Sequence, residues 1–491
     1  MKERFAGVLM HISSLPSRFG KGDFGNEAYR FADWLEAAGQ SLWQILPLNY
    51  PDGTGSPYTS FSANAISDAY ISPELLCQEG FIDERNCEAL LCPGREPGDR
   101  IREKALALAC DPDRNPGKEG EFREFCAEHA YWLQDTALFM SIREQYPGSW
   151  YDFPKPLRDR ETTAIREWEK KHAASIRNFK YRQFLLFRQW KALKYYANAK
   201  GIRIIGDIPI FISGDSADVW AHRDLFKLNQ DGYPKVWTGV PPDLFTKTGQ
   251  LWAQPHYNWE AMKKEDYRWW VERTRVACSL ADIIRIDHFR GFCAAYEVPY
   301  GAATAEKGEW VEGPREAVFR VLHRELPGLQ VIAEDLGVIT PDVDALRKQF
   351  AYPGMKILQF AFNSNAENPY LPENFDPKDR FVVYTGTHDN DTTRGWYEKA
   401  GEHEKAMLKC YLDSSCDTVS LELIKMAHES CAMWSVIPLQ DILDLNSDAR
   451  MNIPGTTENN WRWQLQDFDP PENLTRELKE LTEKSGRIAL K

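Results

Sequence analysis

Nothing in this chain approaches the roughly 20 consecutive apolar residues that a membrane-spanning helix requires. An excess of positive charge is absent too. Lys and Arg total 60 against 73 Asp and Glu, for a formal net charge of −13. That removes the basic footprint of a nucleic-acid binder, and the average field repels an anionic membrane surface. The ten cysteines contain no CxxC pair, and no His cluster stands at zinc-ligand spacing. They read as reduced thiols, mostly buried, of a cytoplasmic protein. Met1-Lys2-Glu3-Arg4-Phe5 lacks an apolar signal core. There is no P-loop signature, no internal repeat and no long low-complexity linker. The expectation is a cytoplasmic protein with no cofactor and no metal, whose partner is neither nucleic acid nor membrane. A neutral substrate fits this charge balance.

What the chain does have is a set of acidic residues at the ends of short apolar runs. They occur in Asp282-Ile283-Ile284-Arg285-Ile286-Asp287-His288, in Val331-Ile332-Ala333-Glu334-Asp335, and in Val382-Val383-Tyr384-Thr385-Gly386-Thr387-His388-Asp389. Each run is short, rich in β-branched residues and then broken by polar or Gly-containing sequence, which reads as a buried strand. Eight such strands can be placed, over residues 7–12, 42–46, 202–208, 283–287, 331–334, 356–362, 381–386 and 435–439. Helical patterns lie between several of them, as at 27–38 and 179–200, each closed by a glycine. This alternation predicts an α/β fold, a (β/α)8 TIM barrel, with the acids on the rim at the carboxyl ends of the strands.

The spacing predicts insertions at that rim. The second and third strands stand about 155 residues apart, where a βα unit needs about 30. Residues 60–180 are therefore expected to be an inserted, mainly helical subdomain, with 1–59 and 181–491 forming the catalytic barrel. A second excursion, 213–257, is rich in Pro, Gly and Trp. Aromatic residues make up 13% of the chain. Most are expected in the core, but Trp252, Trp259, Trp461 and Trp463 sit in polar surroundings, where rings suit the apolar faces of sugars.

Side chains alternate along a strand. Arg285 and Asp287 therefore share the barrel interior, while Ile284 and Ile286 point outward. A guanidinium favours the ionised form of a neighbouring carboxyl, as a nucleophile attacking an anomeric carbon requires. A structural Arg–Asp pair is the alternative. Glu334 has the reach of a general acid/base, given surroundings less polar than those of Asp287. Its alternative is a helix-start acid, a job for which Asp335 is better placed. Asp389 suits sugar hydroxyls, or else it caps a helix near Thr392 and Thr393. Asp207, ending Ile204-Ile205-Gly206-Asp207, meets either the Arg or substrate, or has a purely structural rim role. Paired carboxylates in such a rim point to glycoside chemistry.

These segments together resemble glycoside hydrolase family 77, the 4-α-glucanotransferases (amylomaltase or disproportionating enzyme). The resemblance covers nearly the whole chain. It runs through His11-Ile12-Ser13-Ser14-Leu15-Pro16-Ser17, Gly55-Ser56-Pro57-Tyr58 and Ser60-Phe61-Ser62-Ala63. It continues in Gly206-Asp207-Ile208-Pro209-Ile210-Phe211, Asp215-Ser216-Ala217-Asp218-Val219-Trp220, Gly239-Val240-Pro241-Pro242-Asp243 and Gly249-Gln250-Leu251-Trp252. The three acidic strand ends and Asn452-Ile453-Pro454-Gly455-Thr456 complete it. The resemblance implies that Asp287 is the nucleophile, Glu334 the general acid/base and Asp389 the transition-state stabiliser. It implies that Asp207, Arg285 and His388 line a donor sugar site where Tyr58 stacks on a sugar, and that Ser56 and His288 bind substrate. Gln250 and Trp252 would sit on a mobile loop over the cleft, hinged at Gly239 and Gly249, with Asn452 on a second loop opposite. The substrates implied are α-1,4-glucans: maltooligosaccharides, amylose, and starch or glycogen fragments. Two departures stand out. The family usually continues Gly-Asn-Pro after Trp252, where this chain has Ala253-Gln254-Pro255. After Ala63 it often has Gly-Asn-Pro, where this chain has Ile66-Ser67-Asp68.

Overall fold

A computed structural model describes residues 4–92, 97–111, 116–242, 247–412 and 418–487. Among the described residues twelve strands form two sheets. They are β1 (Phe5–Leu9), β2 (Leu42–Gln44), β3 (Arg203–Ile208), β4 (Val236–Val240), β5 (Gln250–Pro255) and β6 (Ile283–Ile286), followed by β7 (Ala294–Pro299), β8 (Glu309–Glu312), β9 (Val331–Ala333), β10 (Gly354–Ile357), β11 (Phe381–Tyr384) and β12 (Trp434–Pro438). Eight of them run parallel in the order β10-β11-β12-β1-β2-β3-β6-β9. All eight strands expected from the sequence are present, most of them a residue or more shorter. The ring is drawn together between β9 and β10, where the Ala333 N–H donates to the Pro353 carbonyl at 2.9 Å and the Met355 N–H donates to the Asp335 carboxylate at 2.7 Å.

The barrel interior is apolar below and polar above. Leu9, Leu42, Ile205, Ile283, Ile332, Met355, Ile357, Val382, Tyr384, Trp434 and Val436 form one buried cluster inside the ring. Ile284 and Ile286 belong instead to the larger core between sheet and helices. The alternation expected for β6 therefore holds: Ile283 fills the interior and Arg285 stands one layer above it.

Eight helices lie between β2 and β3 among the described residues, ending in a long one at Ala173–Ala199. That helix begins six residues before the apolar pattern at Phe179 marks it, because Ala173–Asn178 contributes only Ile176 to the core. Gln183 and Gln189 on this helix exchange hydrogen bonds with the backbone of Ile66 and Ser72 and fasten it to the chain leaving β2. Within the insertion the short helices Pro73–Gln78 and Glu84–Leu91 bring Cys77 and Cys87 to a Cα separation of 5.7 Å, and the two form a disulfide. This corrects the reading of all ten cysteines as reduced thiols. A tight helical hairpin sets disulfide distance without any CxxC spacing.

The second sheet was not anticipated. Its order is β5-β4-β7-β8, all antiparallel. It combines two strands of the 213–257 excursion with a hairpin that follows β6. Gly239, expected as a hinge, lies inside β4, where an added Cβ would sit 2.4 Å from the Gln250 carbonyl oxygen. Gly249 has the positive φ of a turn, at +67°. Asp243 lies outside the described residues.

Inside the barrel the fit between β1 and β2 is close. Gly7 faces Leu42 in register, and a Cβ at Gly7 would lie 2.4 Å from both the Leu42 Cβ and its carbonyl oxygen. Gly7→Ala is expected to cost about 1–3 kcal/mol by overpacking, read as a lower urea midpoint at unchanged slope. An unchanged midpoint would show that β1 and β2 are not packed this closely.

Candidate active site

The carboxyl ends of β3, β6, β9 and β11 converge on one rim, each carrying one of the acids singled out above. Asp207 and Arg285 are register partners on neighbouring strands. Arg285 Nη1 donates to Asp207 Oδ2 at 2.6 Å, and Nη2 donates to Asp287 Oδ1 at 2.9 Å. The Arg285 and Asp207 side chains are almost fully removed from solvent, whereas the Asp287 side chain keeps 31% of its surface open. Burial works against the guanidinium charge, but Asp207 and Asp287 together hold its pKa well above the ordinary value. Burial also raises the Asp287 carboxyl, and the Arg285 charge opposes that rise.

Glu334 follows β9 and is held by two backbone donors. The His288 N–H meets Oε2 at 2.6 Å, and the Leu336 N–H meets Oε1 at 2.9 Å. The first of these places Glu334 against the peptide that follows Asp287. His288 takes a left-handed conformation, φ 49° and ψ 52°, at that point; strained backbone of this kind collects at functional sites. Burial first and the neighbouring Asp287 charge second push Glu334 up to about 8. The two carboxyls thus differ in kind. One touches a cation; the other, held by neutral donors beside a negative charge, keeps its proton near neutral pH.

Asp389 lies beyond β11 on a turn fastened from the far end of the chain. Asn452 Nδ2 donates to its Oδ1 at 2.6 Å, and Arg450 Nη2 donates to its carbonyl at 2.8 Å. It does not cap a helix. That role falls to Thr392, whose side chain accepts from the Gly395 N–H. Asp335 is no cap either: it closes the barrel at Met355 and pairs with Arg347 at 3.2 Å, and the next helix starts at Pro341.

Aromatic rings flank the acids. Tyr58 donates its hydroxyl to Asp207 Oδ2 at 2.7 Å and lies nearly parallel to His388, 5.2 Å between centroids. Burial first, then Asp207, keeps this phenol neutral and a donor. Ser56 accepts from the Tyr58 N–H at 3.2 Å and shapes that loop without reaching an acid. Trp461 covers both rings, 5.7 Å from Tyr58 and 5.9 Å from His388. On the other flank Trp252 stands edge-on to His288 at 4.7 Å and meets Phe211 at 6.1 Å. Gln250 accepts from the Trp252 indole at 3.4 Å and touches none of the acids. Burial pushes His288 down to about 3, so its ring is neutral. Trp259, expected in a sugar-facing loop, is buried against Tyr257, Trp270 and Phe292.

Three buried polar atoms here meet no hydrogen-bond partner among the described residues: Asp207 Oδ1, His288 Nε2 and His388 Nδ1. Buried polar atoms without partners are costly, and these three are gathered on the rim beside the acids. Sequence reasoning missed Arg450 altogether and met Trp461 only as a loop aromatic. Arg450 stands 61 positions from Asp389, so no local pattern in the sequence points to it. Among the described residues no group of His, Cys, Asp and Glu is arranged to hold a metal ion, and no helix is long and apolar enough to cross a membrane.

Known proteins resemble this chain over nearly its whole length. A family model described as 4-alpha-glucanotransferase matches residues 10–469. The 4-alpha-glucanotransferase of Synechocystis sp. is 43% identical, with 99% of this chain and 99% of that protein aligned. That of Thermus thermophilus is also 43% identical, over 94% of this chain and 95% of that protein. The solved structure of an amylomaltase from Streptococcus agalactiae in complex with acarbose superposes with a TM-score of 0.93 at 35% identity, covering 99% of this chain and 100% of that one. The chain belongs to glycoside hydrolase family 77, the 4-alpha-glucanotransferases.

Proposed function

We propose that this member of the family transfers α-1,4-glucan segments by a retaining double displacement. Asp287 attacks the anomeric carbon of a maltooligosaccharide or amylose donor while Glu334 protonates the departing 4-oxygen. The non-reducing fragment stays on Asp287 as an ester. The 4-hydroxyl of an acceptor glucan then resolves it, Glu334 taking up the acceptor proton. Asp389 grips sugar hydroxyls as the ring flattens. Asp207, Arg285, His288 and His388 line the donor sugar, and Tyr58 stacks on it. The observation that carries this reading is the contrast between the two acids, Asp287 on a guanidinium and Glu334 at about 8 on backbone N–H groups.

Transfer requires that water lose to a sugar hydroxyl. The half-buried rings of Trp252 and Trp461, one on each flank, support that outcome by giving an acceptor sugar apolar surfaces. Residues 1–59 and 181–491 would then act as the catalytic barrel, with 60–180 as a helical wall that guides the glucan. The site of action is the cytoplasm.

Incubation with maltotriose is expected to give glucose and a ladder of longer oligomers with little net gain in reducing ends. Steady release of reducing sugar without the ladder would identify a hydrolase. Asp287→Asn is expected to abolish turnover while glucan binding survives. The wild-type kcat/KM should fall as pH rises past about 8, where Glu334 loses its proton; a profile flat to pH 10 would remove Glu334 as the acid. Stability gives an independent check. A carboxyl raised from 4.5 to about 8 on folding favours the folded state least once pH exceeds both values. Glu334→Gln should therefore raise Tm relative to wild type at pH 9 and bring little gain near pH 4. The same gain at both pH values would contradict the raised pKa.

A further inference from the structure

A second set of aromatic rings lies outside the cleft and takes no part in the chemistry above. Tyr151 and Tyr233 stack face to face, 4.6 Å between centroids and 12° from parallel. Tyr233 meets Tyr300 at 6.2 Å, and Tyr300 meets Trp237 at 4.8 Å. The rings come from separate parts of the chain: Tyr151 from the insertion, Tyr233 and Trp237 from the 213–257 excursion, and Tyr300 from the turn between β7 and β8. Tyr300 is 47% exposed, and the other three are half-buried. Trp150, directly behind Tyr151 at 4.3 Å, shows what a core ring looks like here: it is fully buried, with its indole N–H on the Gly214 carbonyl. The four outer rings were not absorbed in that way.

The ladder is continuous with the wall of the cleft. Trp237 on β4 is the register partner of Pro255 at the end of β5, the strand that carries Gln250 and Trp252. At its other end Gly214 brings Tyr151 close to the same proline. A Cβ on Gly214 would lie 3.1 Å from the Tyr151 hydroxyl oxygen and 3.5 Å from Pro255 Cδ. Trp237 also alternates with Thr238, whose hydroxyl is buried beneath the sheet on the Gln254 carbonyl. The ring therefore projects from the opposite face.

We propose that Tyr233, Trp237 and Tyr300, backed by Tyr151, form an auxiliary carbohydrate platform. It holds an unreacting stretch of a polymeric α-glucan while another stretch of the same molecule occupies the cleft. The proposal rests on the α-glucan reading given above. Tyrosine and tryptophan offer apolar faces with polar rims, the match for a neutral sugar ring. Single-stranded nucleic acid also stacks on such rings, but its platforms come with a positive groove, and this chain carries a net charge of −13. A contact remote from the cleft acts through effective concentration, so its benefit belongs to ligands long enough to engage both places. For maltotriose the two binding events are separate and the platform adds no avidity.

The test is native electrophoresis through gels containing soluble starch, alongside KM for amylose and for maltotriose. Wild type should be retarded by starch. Tyr233→Ala/Tyr300→Ala should lose most of that retardation and show KM for amylose raised roughly two- to tenfold, with maltotriose disproportionation and Tm kept close to wild type. Tyr300→Ala alone, at an exposed position, repeats the measurement without disturbing the Tyr151–Tyr233 stack, and Tyr300→Trp should retain the retardation. Wild-type retardation in both alanine variants overturns the proposal, as does a wild-type protein that starch does not retard. Failure of the underlying reading looks different: wild type would then not disproportionate maltotriose at all.

Discussion

Arg285 is a cation inside a protein, and the site is arranged around that fact. A buried charge without partners is severely destabilising, so the guanidinium must be met by carboxylates placed to receive it. β3 and β6 supply Asp207 and Asp287, one on each side. Asp207 is fully enclosed and serves mainly to satisfy the cation. Asp287, two residues further along the same strand as Arg285, remains open to the cleft. The pairing fixes Asp287 Oδ1 on the guanidinium. It also leaves a negative charge beside Glu334, which is one of the two reasons that Glu334 holds its proton.

From this pairing the rest of the rim follows by layers. Ile283, one layer lower, belongs to the buried apolar cluster that fills the barrel interior beneath Arg285. Tyr58 reaches Asp207 with its hydroxyl, which brings its ring against His388 and so fixes the spacing between β3 and the turn after β11. Asn452 and Arg450 then hold Asp389 from the far end of the chain. The acids are supported by strands and by side chains that are themselves bonded, which is how a rim holds reacting groups without rearrangement.

The parts of this arrangement that repeat along a single strand were legible in the sequence. Short apolar runs marked all eight barrel strands, and alternation on β6 placed Arg285 and Asp287 together above Ile283. What escaped depends on contacts between distant segments. The four-stranded sheet joins residues 236–255 to 294–312 through short strands in which Gly, Pro and Trp blur the alternation. The Cys77–Cys87 bond depends on the angle between two short helices. Asp335 resembles a helix-start acid locally, yet its partners are Met355 and Arg347. The partnership of Arg450 with Asp389 spans 61 positions and has no local signature. The resemblance to a known family recovered Asn452, Gln250 and Trp252 by motif, where spacing alone offered nothing.

The central claim is that the carboxylate held by Arg285 becomes esterified to sugar. A fluorinated α-glucosyl donor slows breakdown of such an ester enough for peptide mass spectrometry. The account predicts one added glycosyl mass on the peptide bearing Asp287, and none when that residue is Asn. A label on Glu334 or Asp389, or an active preparation that never accumulates the adduct, would contradict it.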